Sequence, residues 1–437
     1  MASPHEDALD IFHHALESSR VEVAMKRQVR FPSSVMDVQG YRYALKEYKR
    51  CILIAIGKAA GTMSAEFLRL AGRNADRFEG IVVSPNQEVP QSQRFEYYRA
   101  GHPVPNALSL VAAKAIVEKL TPLTADDLVV FLISGGGSAL IARFVEQGMT
   151  LEMTAAGHKA LVESGAPIAA INAVRKHLST AKGGRLAAAA APAEQLTLLV
   201  SDVPEHELDA LSSGPTMPDR STLQDVDRIM KEYRLAERLP PEVVTYLQSD
   251  AIEETPKPGD SIFARSRWVV LLDSSSLERA ASVKATQLGW KAHIDRASDD
   301  WSAERAAEYL VDRVRTLRQE NGRVCLIAAG EITVAMPRHG AGTGGRNQHF
   351  ALLCSERIAG DSITVLSCGS DGIDGNSPAA GAVVDGTTGE RALAAGYPVR
   401  QALEAFDSYT LLEKLGDTVT TGPTGNNLRD LRILLAS

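Results

Sequence analysis

Residues 127–140 read DLVVFLISGGGSAL. Leu128, Val129, Val130, Phe131 and Leu132 are five apolar residues in succession, extended by Ile133. A run of this kind without polar alternation is the pattern of a strand buried on both faces, as in a parallel sheet covered by helices. Ser134-Gly135-Gly136-Gly137-Ser138 comes directly after it, and Ala139 to Ala142 reads as the start of a helix. Glycines free the backbone for close approach of a ligand. Successive N–H groups ahead of a helix form a concavity that favours an anion, and the two serines add donors.

The same grammar recurs along the chain. CILIAIG (51–57) is a buried strand that runs into Lys58 and a helix closed by Gly72. Strands are expected at Gly80–Ser84, Phe95–Ala100, Leu196–Val200, Trp268–Leu272, Lys291–Ile294, Val324–Ala329, Ile332–Met336 and Ile363–Cys368. Helices are expected at 5–28, 107–120, 150–164 with Thr150 as N-cap, 167–178, 276–288, 302–320 and 347–357. Strands alternating with helices predict an α/β protein with mostly parallel, Rossmann-like sheets flanked by helices. With 437 residues the chain exceeds what one core holds. The polar, proline-bearing stretch AIEETPKPGD (251–260) places the expected division at 1–255 and 256–437.

Composition narrows the function classes. Hydrophobic residues make up 44% and charged residues 23%, and the net charge of −7 speaks against nucleic acid as main partner. No apolar run is long enough for a membrane helix. The four cysteines lack C-x-x-C spacing, and three lie in apolar runs, which fits free thiols in a reducing cytoplasm.

Ligands of such sheets bind beyond the carboxyl ends of the strands, so the residues there carry the chemistry. They are Lys58, SGGGS, Ser201-Asp202, Gly330-Glu331 with GAGTGGRNQ after it, and GSDGIDGNS (369–377), with no Cys or His pair. Lysine, arginine, carboxylates, small hydroxyls and glycines suit phosphoryl transfer, in which the protein positions groups and offsets oxygen charge. Asp202, Asp371 and Asp374 are candidate Mg²⁺ carboxylates. No G-x-x-x-x-G-K-[ST] occurs, so ATP use cannot rest on a Walker A loop. Gly340 to Gly345 matches G-x-G-x-x-G, which keeps an NAD(P)H-dependent reductase as a competitor, although Pro337-Arg338-His339 separate it from the preceding strand. His102, ahead of Pro103, reads as a loop or structural histidine.

The blocks IGKAAGTM (56–63), GHPVPN (101–106), SGGGSAL (134–140), INAVRKHLSTAKGGRLA (171–187), SDVP (201–204), SSGPT (212–216), GEITV (330–334), GTGGRNQ (342–348), SDGIDGNSPAAGA (370–382) and TGPTGNNL (421–428) are similar to those of the MOFRL-containing glycerate kinases, in order and nearly end to end. The resemblance implies a larger amino-terminal and a smaller carboxy-terminal α/β domain, with the active site in the cleft between them. It implies a kinase that uses ATP and Mg²⁺ to phosphorylate D-glycerate at the 2-hydroxyl, as a cytoplasmic monomer or homodimer. Members have also been called hydroxypyruvate reductases. By position, Lys58 and Arg346 become the basic pair for phosphoryl and carboxylate. Asp202 and Asp371 become metal ligands or proton acceptor, without deciding which does which. Ser134, Gly135, Gly136, Gly137, Ser138, Arg175, Lys176, Glu331 and Asn347 become substrate or nucleotide contacts.

Overall fold

The computed structural model describes residues 3–86, 93–144, 149–335 and 342–437. The chain divides into two compact units, one of residues 24–271 and one that joins 1–23 to 272–437.

The unit 24–271 opens with a small antiparallel sheet of β1 (Val29–Arg30), β2 (Val35–Val38) and β3 (Tyr41–Ala44). Its main sheet comprises β4 (Cys51–Ile56), β5 (Phe78–Ser84), β6 (Phe95–Arg99), β7 (Leu128–Ser134), β8 (Glu194–Val200) and β9 (Ser266–Leu272), in the order β6-β5-β4-β7-β8-β9. The five strands β4 to β8 pair in parallel. Every residue of β4 and β7 is buried, as an unbroken apolar run demands. Counted from β4, the order is that of dinucleotide-binding sheets, and the reversal of direction falls between β4 and β7. Helices Ala60–Ala71 and Ala107–Leu120 cover the sheet. A separate helical cluster is built from Leu151–Val162, Ile168–Leu178, Leu223–Glu232 and Pro241–Leu247. Thr150 caps the first of these, accepting from Met153 N at 3.3 Å.

The other unit holds β10 (Lys291–Ile294), β11 (Val324–Gly330), β12 (Ile363–Gly369), β13 (Gly381–Asp385), β14 (Thr418–Val419) and β15 (Asp430–Ala436), ordered β10-β11-β15-β12-β13-β14. Here the expectation of a mostly parallel sheet is corrected: only β10 and β11 pair in parallel, and the other pairings are antiparallel. Two strands run against the rest: β15, a fully buried run that enters between β11 and β12, and β13, which lies between β12 and β14.

Three further expectations differ. The division lies at 271 rather than 255, because β9 extends the first sheet past the proline-bearing loop. The expected helix 5–28 is two helices, Pro4–Ser18 and Val21–Gln28; the second straddles the division at 23/24, and the first lies wholly in the unit of 272–437. Its Ala8, Ile11, Phe12 and Ala15 are fully buried, and Asp7 accepts from Trp290 Nε1 at 2.8 Å and Arg323 Nη2 at 2.9 Å. Residues 332–335 form no strand, only an isolated bridge from Thr333 to Ser302, and Met336 lies outside the described residues. Among the described residues no helix is long and apolar enough to cross a membrane.

Candidate active site

At the reversal between β4 and β7, two loops leave side by side. Lys58 N donates to Gly135 O at 2.9 Å and Ala59 N to Ser134 Oγ at 3.0 Å, which locks the Lys58 loop onto the glycine loop. A Cβ on Gly135 would collide with the Asp202 carboxylate, so Asp202, delivered by the end of β8, lies directly on the loop backbone. Gly136 sits at φ +89°, a conformation that favours glycine. A Cβ there would come within 2.9 Å of His102 and 3.2 Å of Lys58. The Lys58 side chain is exposed and His102 half-buried. Burial, and then the Lys58 charge, hold the His102 imidazole below its usual pKa. The structure thus brings Lys58, Ser134, Gly135, Gly136, Gly137 and Asp202 together, and adds His102, read from sequence as structural.

The underside of this loop is held by SSGPT. Ser212 Oγ donates to Ser134 O at 2.7 Å and accepts from Gly137 N at 3.0 Å. Ser138 Oγ and Ser213 Oγ are 2.7 Å apart, and Ser213 Oγ donates to Asn172 Oδ1 at 3.2 Å. Ser212 and Ser213 both have positive φ (52° and 59°). Strain of this kind persists where surrounding bonds over-determine it, often near functional sites.

In the other unit the carboxyl ends of β11 and β12 flank the start of β15, and acidic residues collect there. Arg346 opens the helix Arg346–Arg357. Its Nε and Nη2 donate to Asp430 at 2.6 and 3.2 Å, and its Nη1 donates to Glu331 at 2.9 Å. Burial works against its charge, but Asp430 and Glu331 together raise its pKa further. A guanidinium has five N–H donors, so these bonds leave two for a ligand. Asp374 accepts from the Asn347 and Gln348 backbone at 3.1 and 2.9 Å, filling the amino end of the helix. Burial pushes the Asp374 carboxyl up to about 6, opposed by those N–H groups and assisted by Asp430. Arg429 grips Asp299 with two bonds of 2.7 Å. Arg346, Asp371, Asp374, Arg429 and Asp430 line one cavity of about 710 Å³, within the usual size for a small-molecule site.

Other predicted residues fare differently. Asn347 is buried and its amide is engaged by Asp374 at 3.3 Å and Ser367 at 2.7 Å, so it braces the cavity wall. Lys176 is not brought to the glycine loop's face: its buried ammonium bonds Asp209 at 3.0 Å and Asp219 at 3.1 Å. Arg175 is half-buried with its Nε unpartnered. Gly340 and Ala341, the start of the G-x-G-x-x-G match, lie outside the described residues. Where that match meets the helix, Asp374 already takes the N–H groups a pyrophosphate would need. Sequence reasoning misses Asp430, Arg429 and Asp299: the first two follow TGPTGNNL at the head of β15, and none of the three reads as following the carboxyl end of a strand.

Asp202 and Asp371 come from different units, and among the described residues no group of three or more His, Cys, Asp or Glu could hold a metal. Magnesium is usually held by one or two carboxylates with substrate phosphates, rather than by an all-protein cage. Asp202, pressed on the glycine-loop backbone, and Asp371, on the cavity wall, fit that mode.

By class this is a two-unit α/β protein whose parallel sheet has dinucleotide-type strand order. Residues 7–248 match a family described as a domain of unknown function (DUF4147), and residues 324–430 match the MOFRL family. A D-glycerate 2-kinase of Thermotoga maritima is 35% identical over 88% of this chain and 90% of its own. A glycerate 2-kinase of Pyrococcus horikoshii is 32% identical over 99% and 97%. A protein of Agrobacterium vitis with the provisional name hydroxypyruvate reductase is 37% identical over 88% and 87%. The crystal structure of the Thermotoga maritima glycerate kinase superposes with a TM-score of 0.84 at 32% identity, covering 99% of both chains. The chain belongs to the MOFRL-containing glycerate kinase family.

Proposed function

We propose that this protein is an ATP-dependent kinase that phosphorylates D-glycerate at the 2-hydroxyl, giving 2-phosphoglycerate and ADP. The observation that carries the reading is the arrangement at the sheet reversal, where Lys58 and Asp202 both lie against the glycine loop. The names of the relatives support the substrate.

Phosphoryl transfer asks the protein to orient the reactants and to offset charge on the transferred group. Lys58 presents an exposed ammonium over a loop whose N–H groups favour oxyanions. Arg346, held flat by Asp430 and Glu331, presents its two remaining N–H donors from a fixed plane. Asp202 and Asp371 would hold Mg²⁺ or accept the proton of the attacking 2-hydroxyl. Mg²⁺ held by these carboxylates would supply positive charge to offset that of the nucleotide phosphates. Asn347 positions Asp374 at the wall of the cavity. The four buried free thiols suit a cytoplasmic protein, acting as monomer or homodimer.

The test is a coupled assay with ATP, Mg²⁺ and D-glycerate, using enolase and pyruvate kinase without phosphoglycerate mutase. Only 2-phosphoglycerate yields pyruvate there, so signal fixes reaction and position together. ADP without pyruvate would move transfer to another oxygen. NAD(P)H oxidation with hydroxypyruvate and no ADP would replace the kinase by a reductase.

A further inference from the structure

Two buried lysines flank the end of helix Ile168–Leu178, and their surroundings differ. Lys176 has two carboxylates, and the neighbouring His177 bonds Glu254 at 2.6 Å. Lys182 is 1% exposed, and among the described residues no carboxylate faces its ammonium; the charge it meets is Arg175. Arg175 leaves Nε buried and unpartnered, and His158, 8% exposed, leaves Nε2 in the same condition. His158 stacks on Phe144 (ring centroids 6.3 Å apart), and Phe144 bridges Ser179, so the histidine is carried to the segment that leads into Lys182. Each of the three basic groups lies within electrostatic reach of the other two.

Burying a cation without a partner is costly, and setting two side by side more so. Burial, and then the Lys182 and Arg175 charges, hold the His158 imidazole well below its usual pKa, so it adds an unpartnered ring nitrogen. Unsatisfied buried groups in a folded protein call for an explanation, of which a bound ion is one. The position supplies the ligand's origin. Asn172, one turn before Arg175 on the same helix, is tied through Ser213 to Ser138 of the glycine loop, and Gly183 N donates to Ser213 O at 2.9 Å. The basic cluster therefore continues the glycine-loop site instead of forming an isolated defect.

We propose that His158, Arg175 and Lys182 form an oxyanion-binding site that takes the carboxylate or a phosphoryl group of a small-molecule ligand, with Lys182 as its counter-ion. The assignment does not depend on which reaction the protein catalyses. Its test is calorimetry and thermal melting of the full chain and its Lys182→Met variant with D-glycerate, ADP and inorganic phosphate as separate probes. The wild type should bind at least one probe. Lys182→Met should bind that probe at least ten-fold more weakly, while melting at or above the wild-type temperature, because it removes an unpaired charge. Loss confined to D-glycerate identifies the carboxylate as occupant; loss confined to ADP and phosphate identifies a phosphoryl group. Lys176→Met is the contrast, since it strands Asp219 and should lower the melting temperature. Should Lys182→Met fail to fold, Arg175→Gln, on a half-exposed side chain, serves the same comparison. The proposal falls if the wild type binds none of the probes, or if Lys182→Met, or Arg175→Gln in its place, binds all three as the wild type does. Failure of the kinase reading is separate, being judged by turnover of the wild type.

Discussion

Lys58 and Asp374 represent two ways a charged residue is used in this protein. Lys58 is exposed, so Lys58→Ala should leave the melting temperature unchanged. Removing one preorganised donor to a reacting oxygen typically costs roughly 10²–10³-fold in turnover, and steady-state kinetics would read that loss here. Near-normal turnover would remove Lys58 from the mechanism. Asp374 is buried with its carboxyl raised to about 6 from 3.8. For an acid raised in the folded state, the protonated folded form is the favoured one. Asp374 should therefore lower stability as pH rises from about 4 to about 6. Asp374→Asn should flatten melting temperature against pH across that window; an unchanged slope would show that other groups set it.

Among elements, the glycine loop and its neighbours are the most legible in the sequence. A buried apolar run that ends in SGGGS has few alternatives, and Lys58 and Asp202 stand out as the charged residues at the carboxyl ends of their strands. Direction and partnership cannot be read in this way. The buried run of β15 looks the same in sequence whether it enters parallel or antiparallel, so Asp430 at its head gives no signal. Lys176 and Lys182 stand in one segment, and only the fold shows which has carboxylates. His102 reads as structural because nothing local reveals that Gly136 comes beneath it. The loop itself yields a paired prediction. Gly135→Ala should lower both melting temperature and turnover, since the added methyl meets the Asp202 carboxylate. Adding Asp202→Ala should recover the melting temperature but not the turnover. No recovery would mean that the loop is strained for another reason.

At the scale of the whole molecule, the helix Pro4–Ser18 is a part of the later unit. Deleting residues 1–20 uncovers the packing of Ile11 and Phe12 and strips Asp7 from Trp290 and Arg323. At ~1.5–3 kcal/mol for each large apolar side chain, the loss should be several kcal/mol. Hydrogen exchange should quicken in 274–287 and 324–330 and stay slow in 128–134; uniform quickening would contradict the division into units. Chelation with EDTA should abolish turnover in the kinase assay and added Mg²⁺ restore it, while full activity in EDTA would exclude the metal roles of Asp202 and Asp371.

The position of β15 has a consequence for how the protein is born. It is synthesised after β10 to β14, yet it occupies the middle of their sheet, with β11 and β12 on its two sides. At ~5–20 residues per second, the unit 24–271 emerges whole on the order of ten seconds earlier and is free to fold. The helix Pro4–Ser18, the pair β10–β11 and the group β12 to β14 must meanwhile wait as separate apolar pieces for residues 430–436 to leave the ribosome. A chain without residues 430–436 would have one finished half and one that never closes.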